Sequence, residues 1–130
     1  MQLESSKKTI NLSAQHVYES LTKIENFEKL MPENTSKFEV IDENCFVFGL
    51  KGMPEIKLVK RSATPHHEIV LGAASSKLPF TLTAKIDENG ANNSDVQLFF
   101  EGEFNAMMGM MIKGPISKFM ETLVENMNKL

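Results

Sequence analysis

The sequence predicts an α+β fold in which a curved, seven-stranded antiparallel sheet wraps around a long C-terminal helix. Three observations support this prediction. An apolar stripe at helical spacing closes the chain, a short helical pattern follows residue 13, and most of the chain between them alternates with the period of two typical of strands. We expect a single domain over residues 1–130, because this is the length of one domain with its own core.

The N-terminal part predicts a strand followed by two short helices in tandem. Residues 3–12 have the polar character of an edge strand. Ser13 is a good N-cap, because its hydroxyl can accept from free N–H groups of the first turn, and a helix is expected over 13–23. A second helical stretch at 26–30 should end before Pro32, since proline disfavours the helical region for the residue before it.

The middle of the chain predicts six further strands. They are expected at 37–42, 44–50, 55–63, 67–75, 79–87 and 94–104. Turn-forming clusters separate them, including 52–54 and 75–78, and such short connections make neighbouring strands antiparallel. Glycines within strands, such as Gly72 and Gly102, are typical of bulges and bends, so the sheet should be curled.

The last predicted element is a helix from about Gly114-Pro115 to the end of the chain. Proline fits its first turn, where the missing N–H would have no partner anyway. One face of the helix is apolar: Ile116, Phe119, Met120, Leu123, Val124 and Met127. This stripe is expected to pack on the concave face of the sheet.

Composition argues against several classes of function. The formal charge is −3, with acidic and basic residues interleaved, so no basic surface is expected for a nucleic acid. The first twelve residues lack the apolar core of a signal peptide, and no apolar run reaches membrane-spanning length. We therefore expect a cytoplasmic protein without stable membrane insertion.

Cys45, the single cysteine, is expected to be a buried thiol among Phe46, Val47 and Phe48.

The order of elements and one local pattern resemble a known superfamily. Ile10-Asn11-Leu12-Ser13-Ala14 is followed by Val17-Tyr18, Leu21 and the run from Ile24 to Pro32. In this superfamily a strand likewise ends in a small-residue cap, and a Val-Tyr/Phe helix leads to an aromatic-containing turn before proline. The chain resembles a small bacterial member of the helix-grip (SRPBCC) superfamily, which contains START-related lipid-transfer domains, the major birch pollen allergen, polyketide cyclases and Hsp90 co-chaperone-type activators. The pattern is structural, so the resemblance implies the fold rather than an activity.

The resemblance implies a cavity between the sheet and the C-terminal helix, which in many such proteins holds a lipid, a polyketide or an aromatic molecule. The residues expected to line this cavity are Phe46, Phe48, Leu58, Leu71, Phe80, Leu82, Leu98, Phe100, Met107, Met111, Ile116, Phe119, Met120 and Leu123. The alternative is that these side chains fill the interior by packing against one another.

The segment Ala106–Ile112 contains four methionines between the last strand and the terminal helix. Flexible thioethers adapt to varied apolar shapes, so the segment could act as a lid at the cavity mouth. The favoured interpretation is one or two helical turns buried against the sheet. A third is an exposed surface that mediates self-association into a homodimer.

No catalytic motif is recognised, and neither a cofactor nor a metal is expected. His66 and His67 are adjacent, so on extended chain they point to opposite faces and make a poor metal site. Strand parity places Glu101 and Glu103 on the face opposite Phe100, which is the solvated one.

Three functions therefore remain open. The leading one is binding or carrying a small hydrophobic ligand. The second is a protein-interaction module of the co-chaperone-activator type that uses the Met107–Ile112 surface, and exposure of the methionines would favour it. The third is a cyclase-like or dehydratase-like enzyme, which needs a buried Glu, His or Tyr that faces an open pocket. Lying on a membrane surface is not favoured, because the terminal helix carries mixed charges rather than a basic face.

Overall fold

A computed structural model describes residues 1–53, 55–74 and 79–130. The turn predicted at 75–78, the last residue of the strand predicted at 67–75 and the proline of the turn predicted at 52–54 lie outside the described residues.

The described part of the chain forms strands and helices in the predicted order. The strands are β1 (Gln2–Glu4), β2 (Lys8–Ile10), β3 (Thr35–Asp42), β4 (Cys45–Leu50), β5 (Ile56–Thr64), β6 (Glu68–Ala73), β7 (Phe80–Glu88) and β8 (Ser94–Gly102). The α-helices are α1 (Ala14–Thr22) and α2 (Ala106–Glu125), and 3₁₀ segments follow at Ile24–Leu30 and Asn126–Lys129.

The strands form one antiparallel sheet in the order β1-β8-β7-β6-β5-β4-β3, and β2 also pairs with β8. The predicted α+β class, with a sheet around a C-terminal helix, is confirmed. The predicted first strand is divided in two at Ser5, which turns into the sheet and is only 4% exposed. Its backbone N–H donates to Leu98 O, and its hydroxyl accepts from Leu98 N, both at 2.9 Å. Because these bonds replace regular strand pairing, the sheet has eight strands within the described residues.

The glycines within the sheet lie where another chain segment approaches closely. A Cβ built on Gly72 would lie 2.6 Å from Arg61 Nε, so the absence of a side chain lets the arginine cross the strand. A Cβ on Gly102 would lie 2.6 Å from Phe104 Cε2 and 2.9 Å from Pro79 O. The register shifts that bend the sheet occur elsewhere, in β3 and β5.

The first helix has the predicted cap and the predicted inner face. Ser13 Oγ accepts from His16 N at 3.1 Å, and Val17 and Leu21 are fully buried. The second short helix is a 3₁₀ segment that begins at Ile24 and also buries Phe27.

The long helix α2 begins at Ala106, eight residues before its predicted start at Gly114. Asn105 caps it, because the side-chain oxygen accepts from Met108 N at 2.8 Å. Pro115 therefore lies inside the helix, where it has no N–H to donate to the carbonyl of Met111. The predicted start was wrong because proline was assigned to the first turn, whereas the helix continues through it with one backbone bond missing.

The C-terminal end of α2 is fixed to the first part of the chain by polar bonds. Asn126 Nδ2 donates to Leu30 O at 3.0 Å, and Asn128 Oδ1 accepts from Asn11 N at 2.9 Å. Ser6 donates to Glu121 through both its N–H and its hydroxyl, each at 2.6 Å. These bonds anchor the second half of the helix, beyond Pro115.

Candidate functional site

The interior between the sheet and α2 gathers most of the residues predicted to line a cavity. The buried ones are Phe46, Phe48, Leu58, Leu71, Leu82, Leu98, Phe100, Ile116, Phe119, Met120 and Leu123, and Phe80 is half-buried against them. The burial of these side chains in one core agrees with the prediction from strand alternation and from the apolar stripe of the helix.

Aromatic rings fill much of this interior. Phe48 and Phe119 stack face to face with ring centroids 4.9 Å apart and an interplanar angle of 5°. Phe46 lies between Phe48 and Phe27, at 6.1 and 5.4 Å. The sheet and the helix are thus joined by direct ring contacts rather than separated by an open space.

A small apolar cavity remains at one end of the interior. Its volume is about 10 Å³, and it is lined by side chains that include Phe80, Phe100, Phe104, Ile112 and Ile116. A space of this size holds no more than about one water molecule. The described interior therefore corresponds to the packed alternative, with a remnant cavity under the middle of α2, on both sides of Pro115.

Met107 and Met111 do not face this interior. They are 75% and 66% exposed, and Met110 is 83% exposed. The segment is helical, as expected, but helical spacing turns Met108 and Ile112 inward and the other three methionines outward. The predictions that the segment is buried and that Met107 and Met111 line the interior were wrong, because α2 starts earlier than expected and its orientation was not known.

Polar groups suited to catalysis are not brought together in the described interior. The buried polar side chains there are Ser5 and Ser94, and the Ser94 hydroxyl donates to Leu12 O at 2.9 Å. Tyr18 is half-buried and makes an edge contact with His66, with ring centroids 5.5 Å apart. Within the described ranges, no three His, Cys, Asp or Glu side chains cluster closely enough to hold a metal ion.

The shifted ionisable groups lie at the surface. Hydrogen bonds from Ser6 lower the pKa of Glu121, and hydrogen bonds from Thr9 and then Asn89 lower the pKa of Asp95. The hydrogen bond with Glu55 raises the pKa of Lys37. Each pKa shift accompanies a hydrogen bond that joins two chain segments. The shifted groups therefore have structural partners at the surface and give no evidence of a reactive group in the interior.

On the outer face of the sheet, the described residues form depressions that sequence reasoning missed, and two of them are large. One, of about 740 Å³, is lined by residues that include Arg61, Thr81 and Glu101. The other, of about 650 Å³, is lined by residues that include Lys85, whose Nζ lies 5.0 Å from the centre of the Phe99 ring. The position of Glu101 on this face was predicted correctly from strand parity. The shape of the depressions was not predictable from alternation, because it depends on how the sheet coils.

Comparison with solved structures identifies the architecture. A START superfamily protein from Mycobacterium smegmatis matches with a TM-score of 0.75 and 11% identity, over 98% of this chain and 94% of that one. Norcoclaurine synthase from Thalictrum flavum, in complex with dopamine and hydroxybenzaldehyde, matches with a TM-score of 0.74 and 10% identity, over 99% and 84%. This is the helix-grip, START-like fold. An uncharacterised protein from Bacillus thuringiensis also matches this chain, with a TM-score of 0.68 and 9% identity over 98% of both chains.

The sequence itself matches no protein-family model and no curated protein. At identities of about one residue in ten, the structural matches establish the START-like fold and leave the function to be argued from this chain's own residues.

Proposed function

We propose that this START-like domain binds a small apolar molecule between the sheet and α2. The observation that supports the proposal is the position of the remnant cavity. It lies under Ile112 and Ile116, next to the part of α2 that precedes the missing backbone bond at Pro115. A ligand that enlarges this space needs to displace Ile112, which lies in the first half of the helix.

The two halves of α2 differ in how firmly they are held. Beyond Pro115 the helix is bonded to Ser6, and the 3₁₀ segment that follows it is bonded to Leu30 and Asn11. Before Pro115 the helix contains Gly109 and Gly114, and a Cβ on Gly114 would meet no atom within 4 Å. Proline and glycine are the usual sites at which a helix bends, so the segment 106–114 acts as the movable lid of the cavity.

The lining defines the class of ligand. Phe100 lies between Phe80 and Phe104, with ring centroids 4.9 and 6.0 Å away. Rings at such distances can separate to admit a flat aromatic or aliphatic molecule and restore their contacts on its two sides. No charged residue is among the described residues that line this cavity, so a charged ligand would lose its hydration without gaining a partner from them. The ligand is therefore neutral and apolar, in keeping with pockets of mainly apolar lining.

Native mass spectrometry of freshly purified protein tests the proposal. A co-purified molecule of drug-like size, at one per chain, is the expected result. An environment-sensitive apolar dye gives a second readout, because the sequence contains no tryptophan. Ile112→Phe should fill the remnant cavity and abolish dye binding, whereas Met111→Phe adds a ring to the exposed face and should leave binding unchanged. The absence of both a co-purified molecule and saturable dye binding would reject the proposal.

Exposure of the methionines favours a second candidate function, a contact surface at Met107, Met110 and Met111. Three adjacent large apolar side chains in water are unusual on a monomer unless they serve a contact. Sedimentation of wild type against the Met107→Ser/Met110→Ser/Met111→Ser variant tests whether this surface brings two copies together. A concentration-dependent dimer that is lost in the variant would support self-association, and identical monomeric profiles would reject it. No observation in the described residues favours a cyclase or dehydratase activity.

A further inference from the structure

The methionine face of α2, defined as Met107, Met110 and Met111, stands out on the described surface. The other large apolar side chains described as exposed, Val40 and Ile41, are 42% and 48% exposed on β3, against at least 66% for each of the three methionines. We propose that the methionine face docks the domain on an anionic membrane surface. This inference deepens the second candidate function by naming the partner as a lipid surface.

The charges next to the methionine face have the sign that an anionic surface requires. The segment 106–118 contains Lys113 and Lys118 and no acidic residue. Lys118 follows Met107 and Met111 on the same helix face, at spacings of eleven and seven residues. Lys51 lies across a small depression from Lys118, which both residues help to line. An apolar patch with a lysine rim is the composition typical of surfaces that bind anionic lipids.

The two acidic residues of α2 lie beyond the methionine face along the helix, and both contact the N-terminal segment. Glu121 accepts both hydrogen bonds from Ser6, and Glu125 lies 3.9 Å from Lys8 Nζ. The nearest acid before the helix, Glu103, lines the outer depression together with Arg61. The helix is mixed in charge along the sequence, as expected, but both of its lysines precede both of its acids along the chain. The segment 106–118 therefore carries basic charge only, so the mixed charge of the whole helix does not exclude a membrane surface at this end.

A lipid surface fits the methionine face better than a second copy of the chain. A two-fold contact through this face would bring Lys113 and Lys118 of both copies to the same interface, where like charges repel. Anionic headgroups instead neutralise them, and unbranched methionine side chains can enter between acyl chains. The docking is peripheral, since neither helix in the described ranges has the length and apolar composition needed to cross a membrane.

Vesicle flotation of the 130-residue chain tests the inference. Wild type should float with phosphatidylcholine vesicles that contain about one quarter phosphatidylserine, and binding should fall with added salt. Lys113→Ala/Lys118→Ala should weaken the partition coefficient about 25-fold, since each lysine near the surface contributes about fivefold. Lys29→Ala/Lys57→Ala removes the same charge from exposed positions elsewhere and should leave binding within about twofold. The triple Met→Ser variant should bind more than about tenfold more weakly.

A tryptophan introduced into this tryptophan-free chain locates the docked face. The emission of Met110→Trp should shift to shorter wavelength on vesicles and be quenched by brominated acyl chains. The emission of Ile41→Trp, on the exposed strand β3, should not change. Circular dichroism of each variant verifies that it is folded.

Three results would overturn the inference. They are failure of wild type to float, equal binding to vesicles of phosphatidylcholine alone, and a dimer that dissociates in the triple Met→Ser variant without any vesicle binding. Ligand binding in the interior is measured separately by native mass spectrometry, so failure of membrane docking leaves that proposal unaffected.

Discussion

Removal of the Phe119 ring tests whether the interior is packed. Phe119 is 4% exposed and stacks on Phe48, which is 1% exposed. Phe→Ala substitutions in packed cores cost about 3–5 kcal/mol, because the apolar transfer free energy is lost and a cavity remains. The loss of an aromatic stack favours the upper half of that range, so we expect Phe119→Ala to lower the free energy of unfolding by about 4 kcal/mol.

The loss is large relative to the stability of such a domain, which is about 5–15 kcal/mol. For a chain of this length, it corresponds to a fall in Tm of about 12–20 °C. Urea denaturation followed by far-UV circular dichroism is the assay, because the single tyrosine and the absence of tryptophan make intrinsic fluorescence a weak signal. Met110→Ala is the matched control on the same helix, and it should change stability by less than about 0.5 kcal/mol.

A loss below about 1 kcal/mol in Phe119→Ala would refute the packed interior. It would mean that the ring borders open space in solution and that the sheet and helix are already separated. In that case the wild-type protein, and not only the variant, should bind an apolar dye with high occupancy.

Three further predictions concern the rest of the molecule. Glu121→Gln should destabilise the protein at about pH 7 and match wild type at about pH 2. In the folded protein, hydrogen bonds from Ser6 lower the pKa of Glu121 below its ordinary value of 4.5. The ionised carboxylate therefore stabilises the fold above pH 4.5, and this stabilisation is lost as the pH falls through the lowered pKa of the folded state. Gly102→Ala should cost about 1–3 kcal/mol, because the new Cβ would meet the carbonyl oxygen of Pro79, whereas Gly72→Ala should cost less than about 1 kcal/mol, because it displaces only the flexible Arg61 side chain. Cys45, which is 5% exposed, should resist a thiol reagent in the native state and react in denaturant.

Each of these predictions has an outcome that contradicts its reasoning. A wild type and Glu121→Gln that differ equally at both pH values would show that the effect is not linked to protonation. Equal losses for the two glycine substitutions, measured by urea denaturation, would show that the backbone contact at Gly102 is not the cause. Rapid labelling of Cys45 without denaturant would show that β4 opens in the native state.

The strands and the core were predictable because their signals are local. In β7, for example, Leu82, Ala84 and Ile86 alternate with solvated residues, and all three are buried. The cap at Ser13 and the stripe from Ile116 to Leu123 are equally local, and both were placed correctly. Each of these predictions depends only on the period of one element and on the face that it buries.

The missed features depend on how separate elements fit together. The helix α2 was predicted to start at Gly114-Pro115, whereas Asn105 caps the helix and Pro115 lies inside it. Exposure of Met107 follows from that earlier start. The size of the interior space depends on how closely Phe48 approaches Phe119 across the sheet–helix boundary, which no single segment encodes. Ser5 divides the first strand through a bond to β8, more than ninety residues away.

The edge of the sheet formed by β3 limits how the molecule can associate. One side of β3 pairs with β4, and the strand order ends there. Two register shifts interrupt it, and Lys37 lies within 3.6 Å of Glu39 and 3.2 Å of Glu55. Irregular backbone and charged side chains on an edge strand discourage the addition of a further strand from another chain. Although Val40 and Ile41 are exposed on it, β3 is therefore a poor template for strand-by-strand aggregation.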